Sequence, residues 1–223
     1  MPFVSLGLSP SLARAASTLG LHQPTPIQTA AIPEVLRGRD VLGTAQTGSG
    51  KTAAFLLPLL QQLGDEPPQT PRRTRVLVLV PTRELATQVG ETVRALLPAL
   101  PRRLKPAIVF GGVSINPQML HLRGGAEIVV ATPGRLLDLI DHNAIRLDAV
   151  ATLVLDEADR LLDLGFAEEL ARILALLPAR RQNLFFSATF APAVQALARP
   201  PPRGPGRLHL AAPAAGRPPN TPP

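Results

Sequence analysis

The sequence predicts an α/β protein in which a parallel sheet is covered by helices on both faces. The run Val76–Val80 is wholly aliphatic and follows a turn-rich stretch, a pattern typical of a central strand buried on both sides. A short strand, a glycine-rich turn and an apolar helix follow one another over 40–63. Strand-like and helix-like segments then alternate to about residue 198, which predicts right-handed crossovers between parallel strands.

Two helix starts precede the first strand. Ser9–Pro10 pairs a candidate N-cap with a proline at the first helical position, and Gly20 ends that helix. Thr25–Pro26 repeats the arrangement. Pro33 is expected to break or kink the second helix, because proline lacks a backbone N–H and its ring crowds the preceding turn.

The remaining elements follow from aliphatic runs and helical spacing. Strands are predicted at 40–43, 76–80, 107–110, 127–131, 151–155 and 183–187, and helices at 51–63, 83–97, 133–141, 157–163, 167–177 and 191–198. Residues 64–74 are expected to form an exposed loop. Residues 199–223 contain nine prolines, so only 207–211 is expected to add a strand, and the rest is expected to be a tail or the start of a linker. One domain is therefore predicted over 1–198.

Composition limits the classes of function. The chain has 223 residues, of which 45% are hydrophobic, and this is enough for one sizeable core. It has no cysteine, which excludes disulfides and thiolate metal sites, and its four histidines are scattered. The net charge is +7, but 199–223 holds four arginines and no acid, so the rest carries +3, which fits a polyanion partner without demanding one. The sequence has no signal-peptide pattern and no long apolar stretch, so a cytoplasmic protein is expected.

A phosphate-binding loop is predicted between the first strand and the helix that follows it. Its residues are Ala45, Gln46, Thr47, Gly48, Ser49, Gly50, Lys51 and Thr52. Glycines allow successive backbone N–H groups to turn toward a phosphate, and the helix N-terminus adds partial positive charge. Lys51 is expected to reach the β- and γ-phosphates and Thr52 to place its hydroxyl on Mg²⁺. The alternative is a glycine-rich turn with a chance match.

A second acidic segment follows the aliphatic run 152–155. Asp156 is the natural Mg²⁺ partner, and Glu157 is placed to orient or deprotonate an attacking water. Asp159 is either a helix-start acid or a hydrogen-bond partner of a neighbouring segment. Acids also favour the first turn of a helix, so a solvated helix start is the alternative for the whole segment. Its position at the end of a strand favours the catalytic interpretation.

These motifs resemble those of the DEAD-box RNA helicases. Residues 3–198 resemble the first RecA-like domain of that family, and the likeness extends to its bacterial RhlE-like group. Residues 24–28 resemble the Q motif, with Phe3 as the isolated upstream aromatic, and 45–52 resemble motif I. Residues 81–85 resemble motif Ia, 111–112 the GG element, 132–135 motif Ib, and 187–189 motif III. The acidic segment Asp156–Asp159 spells the family name. A RecA-like P-loop NTPase fold is therefore expected.

The resemblance implies that ATP or ADP binds together with Mg²⁺. It assigns nucleotide contacts to Phe3, Gln23, Gln28 and the loop residues Ala45 to Thr52, and catalysis to Lys51, Asp156 and Glu157. Gln28 would read adenine through its amide, which both donates and accepts. Phe3 would lie near the base or instead anchor the N-terminus in the core. Leu21 stands where the family usually has an aromatic residue, so weaker stacking and low nucleotide affinity are expected.

The resemblance also implies an RNA-binding track. The residues assigned to it are Pro81, Thr82, Arg83, Gly111, Gly112, Thr132, Pro133, Gly134 and Arg135. Contacts to the sugar-phosphate backbone carry no sequence information, so sequence-nonspecific binding is expected. The alternative for Arg83 and Arg135 is a surface arginine at a helix start. Stacking on bases is not expected, because the phenylalanines look like core residues.

Motif III implies coupling of the ATP state to RNA separation. Its residues are Ser187, Ala188 and Thr189, with Asp159 as partner; the alternative is a role in satisfying a buried polar cluster. No segment after Ala198 resembles the family's second RecA-like domain, which supplies arginine fingers. The chain by itself is therefore expected to be a monomer that binds nucleotide but hydrolyses ATP slowly and does not unwind RNA. A non-catalytic module that acts through a partner, or a DNA-directed relative, remains the alternative.

Overall fold

The fold is built on one parallel β-sheet. The computed structural model describes residues 2–44, 46, 48–189, 192, 194 and 208–211. The strands are β1 (Val41–Thr44), β2 (Val76–Leu79), β3 (Pro106–Val109), β4 (Ile128–Ala131), β5 (Thr152–Leu155), β6 (Gln182–Ser187) and β7 (Leu208–Ala211). Their order across the sheet is β3-β4-β2-β5-β6-β1-β7, and every neighbouring pair is parallel. All strands therefore end at the same edge, which we call the carboxyl edge; the opposite edge is the amino edge.

Helices cover both faces of the sheet, as the sequence predicts. They are α1 (Pro10–Thr18), α2 (Pro26–Leu36), α3 (Lys51–Asp65), α4 (Arg83–Leu96), α5 (Asn116–Leu122), α6 (Pro133–Asp141), α7 (Ala158–Asp163) and α8 (Ala167–Leu176), with 3₁₀ turns at Val4–Leu6 and Leu97–Ala99. Side chains of α1 to α4 pack with Val76, Val78 and Val80 in one core cluster. Side chains of α5 to α8 pack with Leu77 and Leu79 in the other. Because successive strand residues point to opposite faces, a strand buried on both sides is aliphatic throughout.

The first helix begins as predicted. Ser9 is its N-cap, and its hydroxyl accepts a hydrogen bond from the backbone N–H of Leu12 at 3.3 Å. Of the two outcomes expected at Pro33, a break is wrong, since α2 continues to Leu36, and a kink stays a prediction. Tertiary contacts stabilise that last turn: the carbonyl of Val35 accepts hydrogen bonds from Gln62 at 3.0 Å and Gln182 at 3.1 Å.

Other differences between prediction and structure are local. Helix α5 is absent from the predicted elements; it is seven residues long, and the Gln118 amide on it both donates to and accepts from the backbone of Phe110. Strand β7 lies within the predicted 207–211. The predicted helix at 191–198 lies almost wholly outside the described residues. No helix in the described part of the chain has the length and apolar character needed to cross a bilayer.

Candidate functional site

The predicted motifs converge on the carboxyl edge. Three adjacent strands, β5, β6 and β1, are followed by the acidic segment, motif III and the glycine-rich loop; we call these loops the β5–β6–β1 half. The adjacent strands β3, β4 and β2 are followed by the GG element, motif Ib and motif Ia; we call these loops the β3–β4–β2 half. Ligands of open parallel sheets bind in the crevice outside this edge.

The glycine-rich loop leads from β1 into the N-terminus of α3. Gly50 is the N-cap and has φ +89°, a left-handed conformation that favours glycine. A Cβ atom on Gly50 would lie 2.4 Å from Nε2 of Gln28. The hydroxyl of Ser49 is buried and has no hydrogen-bond partner among the residues described, so an acceptor such as a phosphate oxygen would satisfy it. Ala45 and Thr47 lie outside the described residues.

Gln28 joins α2 to this loop. Its side chain is fully buried; Oε1 accepts from the backbone N–H of Thr25 at 3.0 Å, and Nε2 donates to the carbonyl of Gly50 at 3.0 Å. A glutamine amide has one further donor and one further acceptor position. Contact with adenine therefore stays a prediction, while the role that the structure establishes is to hold the loop against α2.

The buried charges of this half are Lys51 and Asp156. Lys51 is 6% exposed and Asp156 is 2% exposed, although β1 and β5 are separated by β6. Burial raises the pKa of Asp156 to about 6; the nearby positive charge of Lys51 opposes this rise, and the charge of Glu157 adds to it. Lys51 and Asp156 thus interact electrostatically across the loop. Ionisation of Asp156 is costly in this position because the side chain is buried. A cation bound beside the carboxylate would make its ionised form favourable.

Glu157 has a strained backbone. Its φ and ψ are both +53°, a left-handed conformation that is uncommon for a residue with a side chain and that clusters at functional sites. Its N–H donates to Oδ1 of Asp156 at 3.0 Å, and its carboxylate pairs with Arg160 at 3.1 Å. Both contacts fix the direction of the Glu157 side chain relative to Asp156. Sequence reasoning missed Arg160, although its position three residues after an acid on a helix indicates such a pair.

Asp159 binds motif III directly. Its Oδ2 accepts from the backbone N–H groups of Ala188 and Thr189 and from the Thr189 hydroxyl, at 3.0 to 3.2 Å. The Ser187 hydroxyl accepts from the N–H of Asp159 at 3.2 Å and donates to the Thr189 carbonyl at 2.6 Å. Burial of the carboxylate raises its pKa, but the hydrogen bonds from Thr189 and Arg160 outweigh burial, so the pKa of Asp159 lies below its ordinary value. The predicted contact between these segments is therefore present.

The β3–β4–β2 half is more exposed. Thr82 caps α4 by accepting from the N–H of Leu85 at 3.2 Å. The exposed Arg83 guanidinium lies over the ring of Phe110, 5.0 Å from its centroid. The prediction that the phenylalanines are core residues is wrong for Phe110, which is only half-buried. Its place directly before the glycine pair Gly111–Gly112 is the sequence feature that would have indicated this partial exposure.

Motif Ib is less accessible than predicted. Thr132 and Arg135 are each 9% exposed, and Pro133 is buried at the first turn of α6. Nη2 of Arg135 donates to the carbonyl of Val113 at 2.7 Å, and Nε lies 3.5 Å from a carboxylate oxygen of Asp138. The surface-arginine alternative is therefore wrong for Arg135. Its side chain braces the loop that follows the GG element, and its contact with RNA stays a prediction.

The remaining nucleotide residues occupy different environments. Phe3 is 1% exposed and belongs to the first core cluster, so the structure places it as a core anchor. Leu21 is half-buried against the same cluster, whereas Gln23 and Gln46 are exposed. Thr52 is half-buried in the first turn of α3, and Pro81 is buried after β2. Across the described segments, no group of three His, Cys, Asp or Glu side chains is placed to hold a metal ion.

Comparisons with known proteins agree with the motifs. Residues 25–197 match the family model described as DEAD/DEAH box helicase. The chain is 47% identical over 218 residues to DEAD-box ATP-dependent RNA helicase 28 of Arabidopsis thaliana, covering 97% of this chain and 27% of that protein. It is 50% identical over 191 residues to the human probable ATP-dependent RNA helicase DDX49, covering 84% of this chain and 38% of that protein.

The fold has solved counterparts. The crystal structure of a DEAD box protein from the hyperthermophile Methanococcus jannaschii superposes with a TM-score of 0.82 at 34% identity, covering 94% of this chain and 55% of that one. The yeast splicing factor Prp28, also a DEAD-box protein, gives a TM-score of 0.79 at 36% identity. The chain thus spans well under half the length of the two sequence relatives, and about half the length of these structures.

Proposed function

Because the chain belongs to the DEAD/DEAH box helicase family and has its RecA-like α/β fold, we propose that residues 1–198 bind ATP and Mg²⁺ and contact RNA within an RNA-remodelling ATPase. The observation that carries the nucleotide part is the approach of Lys51 to Asp156 across two strand spacings at the carboxyl edge. A buried cation beside a buried carboxylate, at the end of a glycine-rich loop, is the arrangement that a magnesium-bound polyphosphate requires.

In the proposed site each residue has one task. Backbone N–H groups of Gly48–Gly50 and the Lys51 ammonium hold the β- and γ-phosphates. Thr52 and Asp156 would hold Mg²⁺, which when bound supplies positive charge that neutralises the phosphates. Such a site needs only one or two carboxylates plus water and phosphate, so it does not require a cluster of three acids. The residues present therefore fit the ion.

Hydrolysis is assigned to Glu157. Its carboxylate orients the attacking water and accepts its proton, and Arg160 fixes the direction of that carboxylate. Asp159 and Ser187–Thr189 connect this loop to the end of β6, which gives a path by which loss of the γ-phosphate shifts motif III. Arginine fingers from a second RecA-like domain complete the transition state, so the 223 residues as a separate polypeptide hydrolyse ATP slowly.

RNA contact is assigned to the β3–β4–β2 half. Arg83 and Gly112 are exposed at this edge, Gly111 is half-buried, and Thr82 and Thr132 are the N-caps of α4 and α6, so the first N–H groups of both helices lie at this edge. Contacts of this kind read the sugar-phosphate backbone, so binding is independent of base sequence. A monomeric, cytoplasmic protein of the RhlE-like group is part of the same proposal.

The test compares the two lysines of the chain. Lys51→Ala removes the phosphate contact, whereas Lys105→Ala changes the same residue type at the amino edge. Isothermal titration with Mg·ADP is expected to show a loss of about tenfold to a hundredfold in affinity for Lys51→Ala only. Equal affinity in the two variants would contradict the proposed nucleotide site.

A further inference from the structure

A large cavity lies at the amino edge, opposite every predicted motif. Its volume is about 1260 Å³. It lies between residues 69–74, which precede β2, residues 116–126, which precede β4, and residues 142–148, which precede β5. A typical small-molecule site has about 300–1,000 Å³ and is enclosed, so this cavity has the size for a segment of polypeptide or nucleic acid.

Charged residues of both signs lie at the same edge, where Asp40 and Glu127 directly precede β1 and β4, and Arg39 and Arg75 pair with Glu34 and Glu66. A basic residue lies within two positions before β1, β2, β3 and β6: Arg39, Arg75, Lys105 and Arg181. Four further arginines line the cavity: Arg72, Arg73, Arg123 and Arg146. Arg72 pairs with Glu127, and Arg73 pairs with Asp148. Within the described ranges, neither Arg123 nor Arg146 forms an ion pair, and both are exposed. The cavity therefore has two cationic groups without a counter-charge.

The wall of the cavity is preformed by close backbone packing. Gly125 has φ +80°, and a Cβ atom there would lie 2.0 Å from the carbonyl oxygen of Arg72. Only glycine allows the two loops to approach so closely. The loops that carry Arg72 and Arg123 are thus held together without a ligand, which lowers the ordering cost of binding.

The cavity also has an apolar side. Leu120 on α5 is 60% exposed, the most exposed large aliphatic side chain in the described part of the chain, and Met119 and Ile145 line the cavity beside it. Among the described residues that line the cavity there is no Phe, Tyr or Trp, and the single aromatic ring is that of His142, so the cavity lacks the row of stacking side chains that single-stranded nucleic acids use. The chain's own 199–223 segment carries four arginines and no acid, so like charges oppose its docking there.

We propose that this cavity is a docking site for a peptide segment of a partner protein that carries both acidic and aliphatic side chains. Carboxylates of the segment pair with Arg123 and Arg146, and an aliphatic side chain covers Leu120. Since the site lies at the amino edge, the partner engages the domain without entering the crevice used by nucleotide and RNA.

The test uses a phage-displayed library of random dodecapeptides selected on the 223-residue chain, followed by anisotropy titration of the selected peptides. The variant Arg123→Glu/Arg146→Glu reverses the two unpaired charges. The control Arg14→Glu/Arg94→Glu reverses two exposed arginines on α1 and α4, so that the net charge changes equally. Selected peptides are expected to combine Asp or Glu with Leu, Ile or Val. Their affinity is expected to fall about tenfold or more in the cavity variant alone, and also in Leu120→Ser.

Three outcomes would overturn the proposal. They are an absence of acidic peptides after selection, equal weakening by the control variant, and binding of oligouridylate that the cavity variant but not the control abolishes. The last outcome would assign the cavity to nucleic acid. Mg·ADP affinity is expected to be unchanged in the cavity variant, which shows that the protein is folded and keeps this proposal separate from that of the nucleotide site.

Discussion

The two halves of the carboxyl edge differ in how their functional side chains are used by the fold. In the β5–β6–β1 half, Lys51 and Asp156 are buried and interact electrostatically, and Asp159 binds the backbone of motif III. In the β3–β4–β2 half, Arg83 and Gly112 are exposed, and Arg135 turns inward to Val113. The first half is organised around the buried charges of Lys51 and Asp156 and the hydrogen bonds of Asp159. The second presents exposed groups beside side chains that brace its loops, since Thr82 caps α4 and Arg135 binds the carbonyl of Val113.

This difference has a physical consequence. Buried charges without full compensation cost folding free energy, and a ligand that compensates them recovers that energy as affinity. Exposed arginines cost little and contribute mainly long-range attraction to a polyanion. Substitutions in the first half should therefore change stability and nucleotide binding together. Exposed residues in the second half should change RNA binding alone.

The largest expected effect concerns the glycine-rich loop. Gly50→Ala places a side chain at a left-handed φ and against Gln28, so the free energy of unfolding should fall by about 2–4 kcal/mol. Gly124→Ala is the matched control, because Gly124 has φ +77° but nothing within 4 Å of its Cβ position. Urea unfolding of both variants measures the difference. Equal losses would show that the contact of the loop with α2 contributes nothing beyond backbone strain.

The second prediction concerns Asp156 in the absence of nucleotide and Mg²⁺. Its pKa is raised by burial to about 6 in the folded state, above its ordinary value of 3.8. The protonated form is favoured by folding, so this contribution to stability is complete below the ordinary pKa and is lost as pH rises through about 6. Asp156→Asn should therefore be more stable than the wild type by about 3 kcal/mol near pH 8 and equally stable near pH 4.

Urea unfolding across this pH range in EDTA checks the prediction, with the exposed Asp163→Asn as control. A less stable Asp156→Asn at the upper pH would show that the ionised carboxylate is compensated within the protein. That result would remove the contrast between the two halves.

The smallest expected effect separates two arginines of the second half. Arg83→Ala should leave the free energy of unfolding nearly unchanged and lower the salt dependence of RNA affinity by about one unit of slope. Arg135→Ala should lower the free energy of unfolding by about 1–3 kcal/mol, because the hydrogen bond to Val113 is lost and a space is left. Anisotropy with oligouridylate at several salt concentrations, together with urea unfolding, measures both. A stable Arg135→Ala variant with a reduced slope would assign Arg135 to the exposed surface.

The two halves were also unequally predictable from the sequence. The glycine-rich loop, Lys51 and Asp156 were predicted because phosphate and Mg²⁺ demand particular residue types at a fixed spacing after a strand. The contact between Asp159 and Ser187–Thr189 was also predicted, because both segments lie at the ends of strands. Burial of Arg135 was not predictable, because it depends on Val113, a residue distant in sequence that no local pattern connects to it.

Long-range contacts account for the other differences. Helix α2 continues past Pro33 because Gln62 and Gln182 hold its end, and α5 is anchored by Gln118 to Phe110. The aliphatic runs indicate which strands are central, and the observed sheet order agrees with them. A central strand is buried on both faces whichever strands adjoin it. Sequence patterns thus predict the elements and the strongly charged site, whereas contacts between distant side chains decide which polar residues are accessible.

The most direct test of this account is the position of the metal ion. Crystals of the chain grown with Mn²⁺ and ADP give an anomalous peak at the manganese. The account predicts this peak at the carboxyl edge, beside Thr52 and Asp156, with the phosphates against Gly48–Lys51. A peak in the β3–β4–β2 half, or at the amino edge beside Arg123 and Arg146, would contradict it.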